Sequence, residues 1–148
     1  MSRISRQKIE ISHIHEDHEQ AFIIWNRGKG MKKVLIVDDA AFIRKTLRLM
    51  LEKNNFEVVG EAENGKAAMI KIQSLAPDIV TLDITMPGMD GVECLNQISK
   101  LDKKPNVVMI TALGRQDKVI EAFNSGAKGF IVKPFKEDNV VSTLRSMT

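Results

Sequence analysis

Five polar side chains in this sequence stand where short apolar runs end. Val34-Leu35-Ile36-Val37 runs into Asp38 and Asp39, and Ile79-Val80-Thr81-Leu82 into Asp83. Val107-Val108-Met109-Ile110 runs into Thr111, and Phe130-Ile131-Val132 into Lys133 and Pro134. Taken singly, each has an ordinary use. An aspartate pair caps a helix, an aspartate shortly before Met86-Pro87-Gly88 makes a turn, a strand-end threonine is structural and a lone lysine is a solvated charge. Taken together they describe a site. Three carboxylates in proximity repel one another, so either their pKa values rise or a cation joins them. Oxygen ligands few enough to leave room for water suit Mg2+. An ammonium and a hydroxyl beside that ion suit a phosphoryl group. A carboxylate can attack phosphorus to give an aspartyl phosphate, a reaction that needs mainly positioning and charge neutralisation.

That chemistry requires the runs to be neighbouring strands whose carboxyl ends share one edge. The sequence between them supplies the means. After Val34–Val37, Ile43, Leu47, Met50 and Leu51 recur at helical spacing. A weaker strand follows at Phe56 to Gly60, then a helix marked by Ala68, Ile72 and Leu75, opened near Asn64-Gly65 and stopped by Pro77. Cys94, Ile98 and Leu101 mark a third helix after Gly91. Val119, Ala122 and Phe123 mark a fourth, ended by Gly126, and Val140, Val141, Leu144 and Met147 line a last one. Short apolar strands joined by helical connections predict a parallel sheet with helices on both faces, and sites in such sheets lie beyond the carboxyl ends of the strands. The predicted class is α/β, a doubly wound (βα)5 fold.

Composition narrows the function. The chain has 148 residues, 43% apolar and 28% charged, with a net charge of +3. That is one domain's length and leaves no room for an appended output module. The charge is too small and too dispersed to argue for nucleic acid. One cysteine, Cys94, excludes an internal disulfide framework and fits a reducing cytoplasm, and no stretch reads as a signal peptide or a membrane span.

The chain divides at Met31. Before it lie all three histidines, His13, His15 and His18, and the single tryptophan, Trp25; all four prolines lie after it. Residues 1–30 read as an extension, either a disordered tail or a translated leader with Met31 as the native start. Arg27-Gly28-Lys29-Gly30 is encodable by a purine-rich run of the kind found in ribosome-binding sites. The histidines, with Glu16 and Asp17, are candidate transition-metal ligands.

Residues 31–148 resemble the receiver domain of bacterial two-component response regulators, in particular the single-domain CheY type used in chemotaxis. The stretches that carry the resemblance are Val34 to Asp39, Asp83-Ile-Thr-Met-Pro-Gly-Met-Asp-Gly91, Met109-Ile-Thr-Ala112 and Gly126-Ala-Lys-Gly-Phe-Ile-Val-Lys-Pro-Phe135. The resemblance implies a flavodoxin-like five-stranded sheet in the order 2-1-3-4-5. It implies that Asp83 accepts the phosphoryl group and that Asp39, Asp83 and the carbonyl of Thr85 bind Mg2+ directly, with Asp38 assisting through water. Lys133 would pair with the phosphoryl oxygens, Thr111 would move to bond them, and Phe130 would turn inward as the switch aromatic. A cis Lys133–Pro134 bond is implied as well. By the same resemblance, Thr85 and Leu113 would occupy positions that tune phosphoryl lifetime. With no Tyr in the chain, the switch offers partners no phenolic hydroxyl.

The partners so implied are a chemotaxis-type histidine kinase as donor, a flagellar motor switch protein or other downstream protein, and a phosphatase, with neither nucleic acid nor membrane insertion. The signal would be read on the face of the fourth helix, fifth strand and fifth helix. Three other functions are compatible with parts of the pattern. A phosphorelay or sporulation-type receiver would use the same residues. A Mg2+-dependent phosphatase would turn over through an aspartyl phosphate, but Thr85 stands where a second acid/base carboxylate would be needed. A flavodoxin-like cofactor binder would need a glycine-rich loop where Asp38-Asp39-Ala40-Ala41 stands.

Overall fold

A computed structural model describes residues 30–86, 88–112 and 114–147. Lys32–Thr148 forms one compact unit. Residues 1–29, with the histidine cluster, lie outside the described residues.

The elements alternate strictly: β1 (Lys33–Val37), α1 (Ala41–Lys53), β2 (Glu57–Ala62), α2 (Gly65–Leu75), β3 (Ile79–Asp83), α3 (Gly91–Ile98), β4 (Asn106–Ala112), α4 (Gln116–Asn124), β5 (Gly129–Lys133) and α5 (Glu137–Arg145). The strands form one sheet in the order β2-β1-β3-β4-β5, and the neighbouring strands pair in parallel. This is the doubly wound fold that the pattern and the resemblance predict.

Strand side chains alternate between faces, so each central strand feeds two cores. Leu35, Val37, Val80, Leu82, Val107 and Met109 pack with Ala68 and Ile72 of α2, Val92, Leu95 and Ile98 of α3 and Ala122 of α4. Val34, Ile36, Ile79, Val108, Ile110 and Ile131 pack on the other side with Leu47 and Leu51 of α1 and Val140, Val141 and Leu144 of α5. A strand buried on both faces has no polar alternation, which is why β1, β3 and β4 read as continuous apolar runs.

Three boundaries differ from the sequence reading. The second strand begins at Glu57 and extends to Ala62. Phe56 lies before it: its N–H bonds the carbonyl of Leu51 and its ring is buried beneath the end of α1. The third helix stops at Ile98, and the Leu101 N–H closes a tight turn onto the Ile98 carbonyl, so Leu101 packs from a loop. Phe123 sits on α4 but is largely exposed. Among the described residues no helix is long and apolar enough to cross a membrane.

Leu47 is fully buried in the α1–α5 core and makes none of the side-chain bonds at the strand ends. Leu47→Ala is expected to lower stability by about 2–5 kcal/mol in urea denaturation, while leaving ligand binding at the sheet edge intact.

Candidate functional site

The carboxyl edge of the sheet collects the residues that end β1, β3, β4 and β5. Because β1 and β3 are adjacent, with Val37 opposite Leu82, Asp38 and Asp83 emerge side by side. Ligand oxygens of Asp38, Asp39 and Asp83 all lie within 4.8 Å of one another. Asp38 and Asp83 are buried, and Asp39 is exposed.

Each aspartate is held differently. The Asp38 N–H bonds the Ala62 carbonyl of β2, and its Oδ1 accepts the Ala40 N–H at 2.9 Å. That side-chain-to-backbone turn replaces the capping role that the sequence left open: the N-cap of α1 is Ala40, with no side-chain cap bond. Asp38 Oδ2 is buried without a hydrogen bond. Lys133 Nζ stands 3.2 Å from it, an ion pair that lacks hydrogen-bond alignment. The same ammonium stands 3.6 Å from Asp83 Oδ2. Asp83 Oδ1 accepts the Thr85 N–H at 3.2 Å. Lys133 arrives from the end of β5, whose Lys133 is paired opposite Ala112 of β4, and the Lys133–Pro134 peptide is cis.

One ammonium does not neutralise three carboxylates. Burial, and next the charge of Asp38, push the Asp83 carboxyl up from 3.8 to about 6, with Asp39 adding a little. Lys133 and the Thr85 N–H act in the opposite direction and lose. A carboxylate set this close, all oxygen, with one buried oxygen lacking a hydrogen bond, fits a hard divalent cation.

Thr111 is buried at the end of β4, and its hydroxyl donates to the Ala112 carbonyl at 3.2 Å. Phe130, half-buried on β5, meets the ring of Phe123 edge-on, centroids 4.4 Å apart. Thr85 is exposed in the loop after β3. Leu113 lies outside the described residues. The edge therefore brings together the aspartates, Lys133 and the Thr85 backbone, while Phe130 belongs to the neighbouring α4–β5 surface.

Several contributors were not singled out from sequence. A Cβ on Gly91 would lie 2.1 Å from the Asp83 carbonyl oxygen, so only glycine lets α3 start against the end of β3. A Cβ on Gly65 would fall 2.7 Å from Met89 Sδ, so the loop after Asp83 rests on the first turn of α2. Arg44 of α1 donates from Nη1 to the Asp38 carbonyl at 2.7 Å and from Nε to Glu61 of β2 at 3.0 Å. Arg48 bonds the other Glu61 oxygen at 2.7 Å. Hydrogen bonding from Arg48 is the main reason the Glu61 carboxyl lies below its usual pKa, against the cost of its partial burial, with Arg44 assisting. The Asp-Gly pair at the start of α3 was a visible signal for the close approach at Gly91. The Arg44–Glu61 pairing joins distant segments and has no local signature.

The sequence profile of the response regulator receiver domain matches residues 34–145. The chain belongs to the response regulator receiver domain family. Chemotaxis protein CheY of Bacillus subtilis is 50% identical over 112 residues, covering 76% of this chain and 93% of that protein. CheY of Thermotoga maritima is 49% identical over 117 residues, covering 79% and 98%. A chain of the CheX–CheY–BeF3–Mg2+ complex from Borrelia burgdorferi matches with a TM-score of 0.76 at 42% identity, covering 82% of this chain and 92% of that one. This is a CheY-type receiver, from a family of phosphorylation-dependent signalling domains.

The receiver's cation-free stability carries the mark of Asp83. The unfolded chain titrates this group near 3.8 and the folded one near 6, so between those values the native state holds the extra proton. Its contribution to stability is complete below the lower value and is lost as pH rises through the higher one. Asp83→Asn is expected to raise stability at neutral pH by about 1–2 kcal/mol, after allowance for solvent screening, and to flatten the fall between those pH values in denaturant titrations without metal.

Proposed function

We propose that this receiver is a cytoplasmic switch that takes a phosphoryl group from a phosphohistidine of a chemotaxis-type histidine kinase onto Asp83. In this reading residues 31–148 are the working domain and residues 1–30 an extension or translated leader. The observation that carries the reading is the convergence of Asp38, Asp39 and Asp83 within 4.8 Å, with Lys133 Nζ 3.2 and 3.6 Å from the two buried ones. The CheY relatives, and a solved relative in a complex with BeF3 and Mg2+, support it.

Asp38, Asp39 and Asp83, with the Thr85 carbonyl, would hold Mg2+, whose part is to neutralise the negative charge of carboxylates and phosphoryl oxygens. An Asp83 carboxylate oxygen forms the new bond to phosphorus while the phosphorus–nitrogen bond of the donor breaks. The electron pair returns to the imidazole nitrogen. Lys133, already beside Asp83 Oδ2, pairs with the transferred oxygens through a charge-assisted bond. Thr111 exchanges its 3.2 Å bond to the Ala112 carbonyl for one to a phosphoryl oxygen. Those bonds exist only in one arrangement of the loops, so phosphorylation selects that arrangement.

Moving Thr111 draws Phe130 inward and breaks its edge contact with Phe123. The surface so altered is the α4–β5–α5 face, where Ile120, Phe123 and Val132 are exposed. A flagellar motor switch protein is the downstream partner this reading favours, with a phosphatase resetting the switch. Position 85 is threonine, so no second carboxylate stands two residues on from Asp83 to drive turnover, and the chain acts as a switch rather than an enzyme.

Treatment with a small phosphodonor and Mg2+, followed by intact mass, tests the assignment. The expected result is a gain of one phosphoryl group by the wild type and none by Asp83→Asn. Equal labelling of the variant would place the acceptor elsewhere.

A further inference from the structure

We infer that Arg44 is the positioning residue of the cation site, acting through the peptide that joins Asp38 to Asp39; this rests on the Mg2+ reading of the site. Asp38 has its N–H on Ala62, its Oδ1 on Ala40 and its Oδ2 facing Lys133. Its carbonyl is the remaining polar group, and the Arg44 guanidinium takes it at 2.7 Å. That carbonyl belongs to the peptide plane leading into Asp39. Asp39 itself is exposed, and among the described residues no hydrogen bond or ion pair is found to fix its side chain. Its direction therefore depends on the peptide that Arg44 grips.

The grip is itself braced. Arg44 is a largely buried side chain, and its Nε is fixed on Glu61 Oε1 at 3.0 Å. Glu61 is shared with Arg48 at 2.7 Å, Arg48 is tied to Glu52 at 3.1 Å, and the Glu61 carbonyl accepts Lys71 Nζ. Arg44 thus spans from β2 to the end of β1 with a planar fork, using separate nitrogens for the carboxylate and the carbonyl. A lysine carries its three donors on one flexible nitrogen and lacks the fixed fork that sets the two bonds at separate nitrogens. Partners of this outer kind orient metal ligands and commonly govern affinity.

The direction of the effect separates positioning from charge. Arg44 is a cation near the proposed cation site, so loss of its charge alone would tighten Mg2+ binding. Loss of positioning weakens it. Calorimetric titration of the full chain with MgCl2 at neutral pH reads the difference, without any phosphorylation step. Arg44→Ala is expected to weaken Mg2+ binding about tenfold. Arg48→Ala, which leaves the Arg44–Asp38 bond in place, is expected to stay within about twofold of wild type. Arg44→Lys keeps the charge and the fold and is expected to lose affinity several-fold; it decides the matter if the alanine variant does not fold. Wild-type or tighter affinity in the Arg44 variants, or an equal loss in Arg48→Ala, overturns the inference. A wild type that binds no Mg2+ overturns the site reading itself, an outcome visible before any variant is compared.

Discussion

Three carboxylates forced together against one ammonium govern the behaviour of this domain. In water such groups would separate. Here Asp38 and Asp83 are buried at the ends of adjacent parallel strands, and the sheet register keeps them facing the same space. The repulsion is expressed in Asp83, whose carboxyl is pushed up to about 6 even with Lys133 alongside. A site with excess negative charge and a buried oxygen lacking a hydrogen bond is poised to take a cation, and with it an anionic group that would otherwise be repelled.

The rest of the fold makes that arrangement affordable. Two separate apolar cores, one on each face of the sheet, hold the strand ends in place independently of the site. The loop after Asp83 is seated by two close approaches, Gly91 on the Asp83 carbonyl and Met89 on Gly65. From the other side, Arg44 and Glu61 fasten the end of β1 to β2. The site is thus rigid on the β1–β3 side. On the β4–β5 side, Thr111 is held by one bond to its neighbour's carbonyl, and Phe130 by packing against Phe123. The proposed switch thus falls on the side with fewer and weaker ties.

Much of this was legible in the sequence because burial on both faces leaves an unmistakable trace. The runs at Val34–Val37, Ile79–Leu82 and Val107–Ile110 suited central strands, and in a parallel sheet the polar residues that end them share an edge. The edge strand was harder. Glu57–Ala62 carries charge and a glycine and is only half-buried, and its pairing with β1 shifts register between Val34 and Leu35, so its start was misplaced onto Phe56. Helical periodicity overstated Phe123, since α4 covers the sheet while leaving that ring largely in solvent. Arg44 and Glu61 were invisible as a pair, because a salt bridge between a helix and a later strand depends on the three-dimensional crossover and not on spacing. At Gly91 the Asp-Gly pair was visible, but the backbone it meets, the Asp83 carbonyl, was not.

The most direct test of the central constraint is to titrate the Asp83 carboxyl carbon by NMR, with and without Mg2+. The account predicts a midpoint near 6 in the cation-free protein, moving well below that on saturation with Mg2+. A midpoint at the ordinary 3.8, unmoved by the ion, would contradict it.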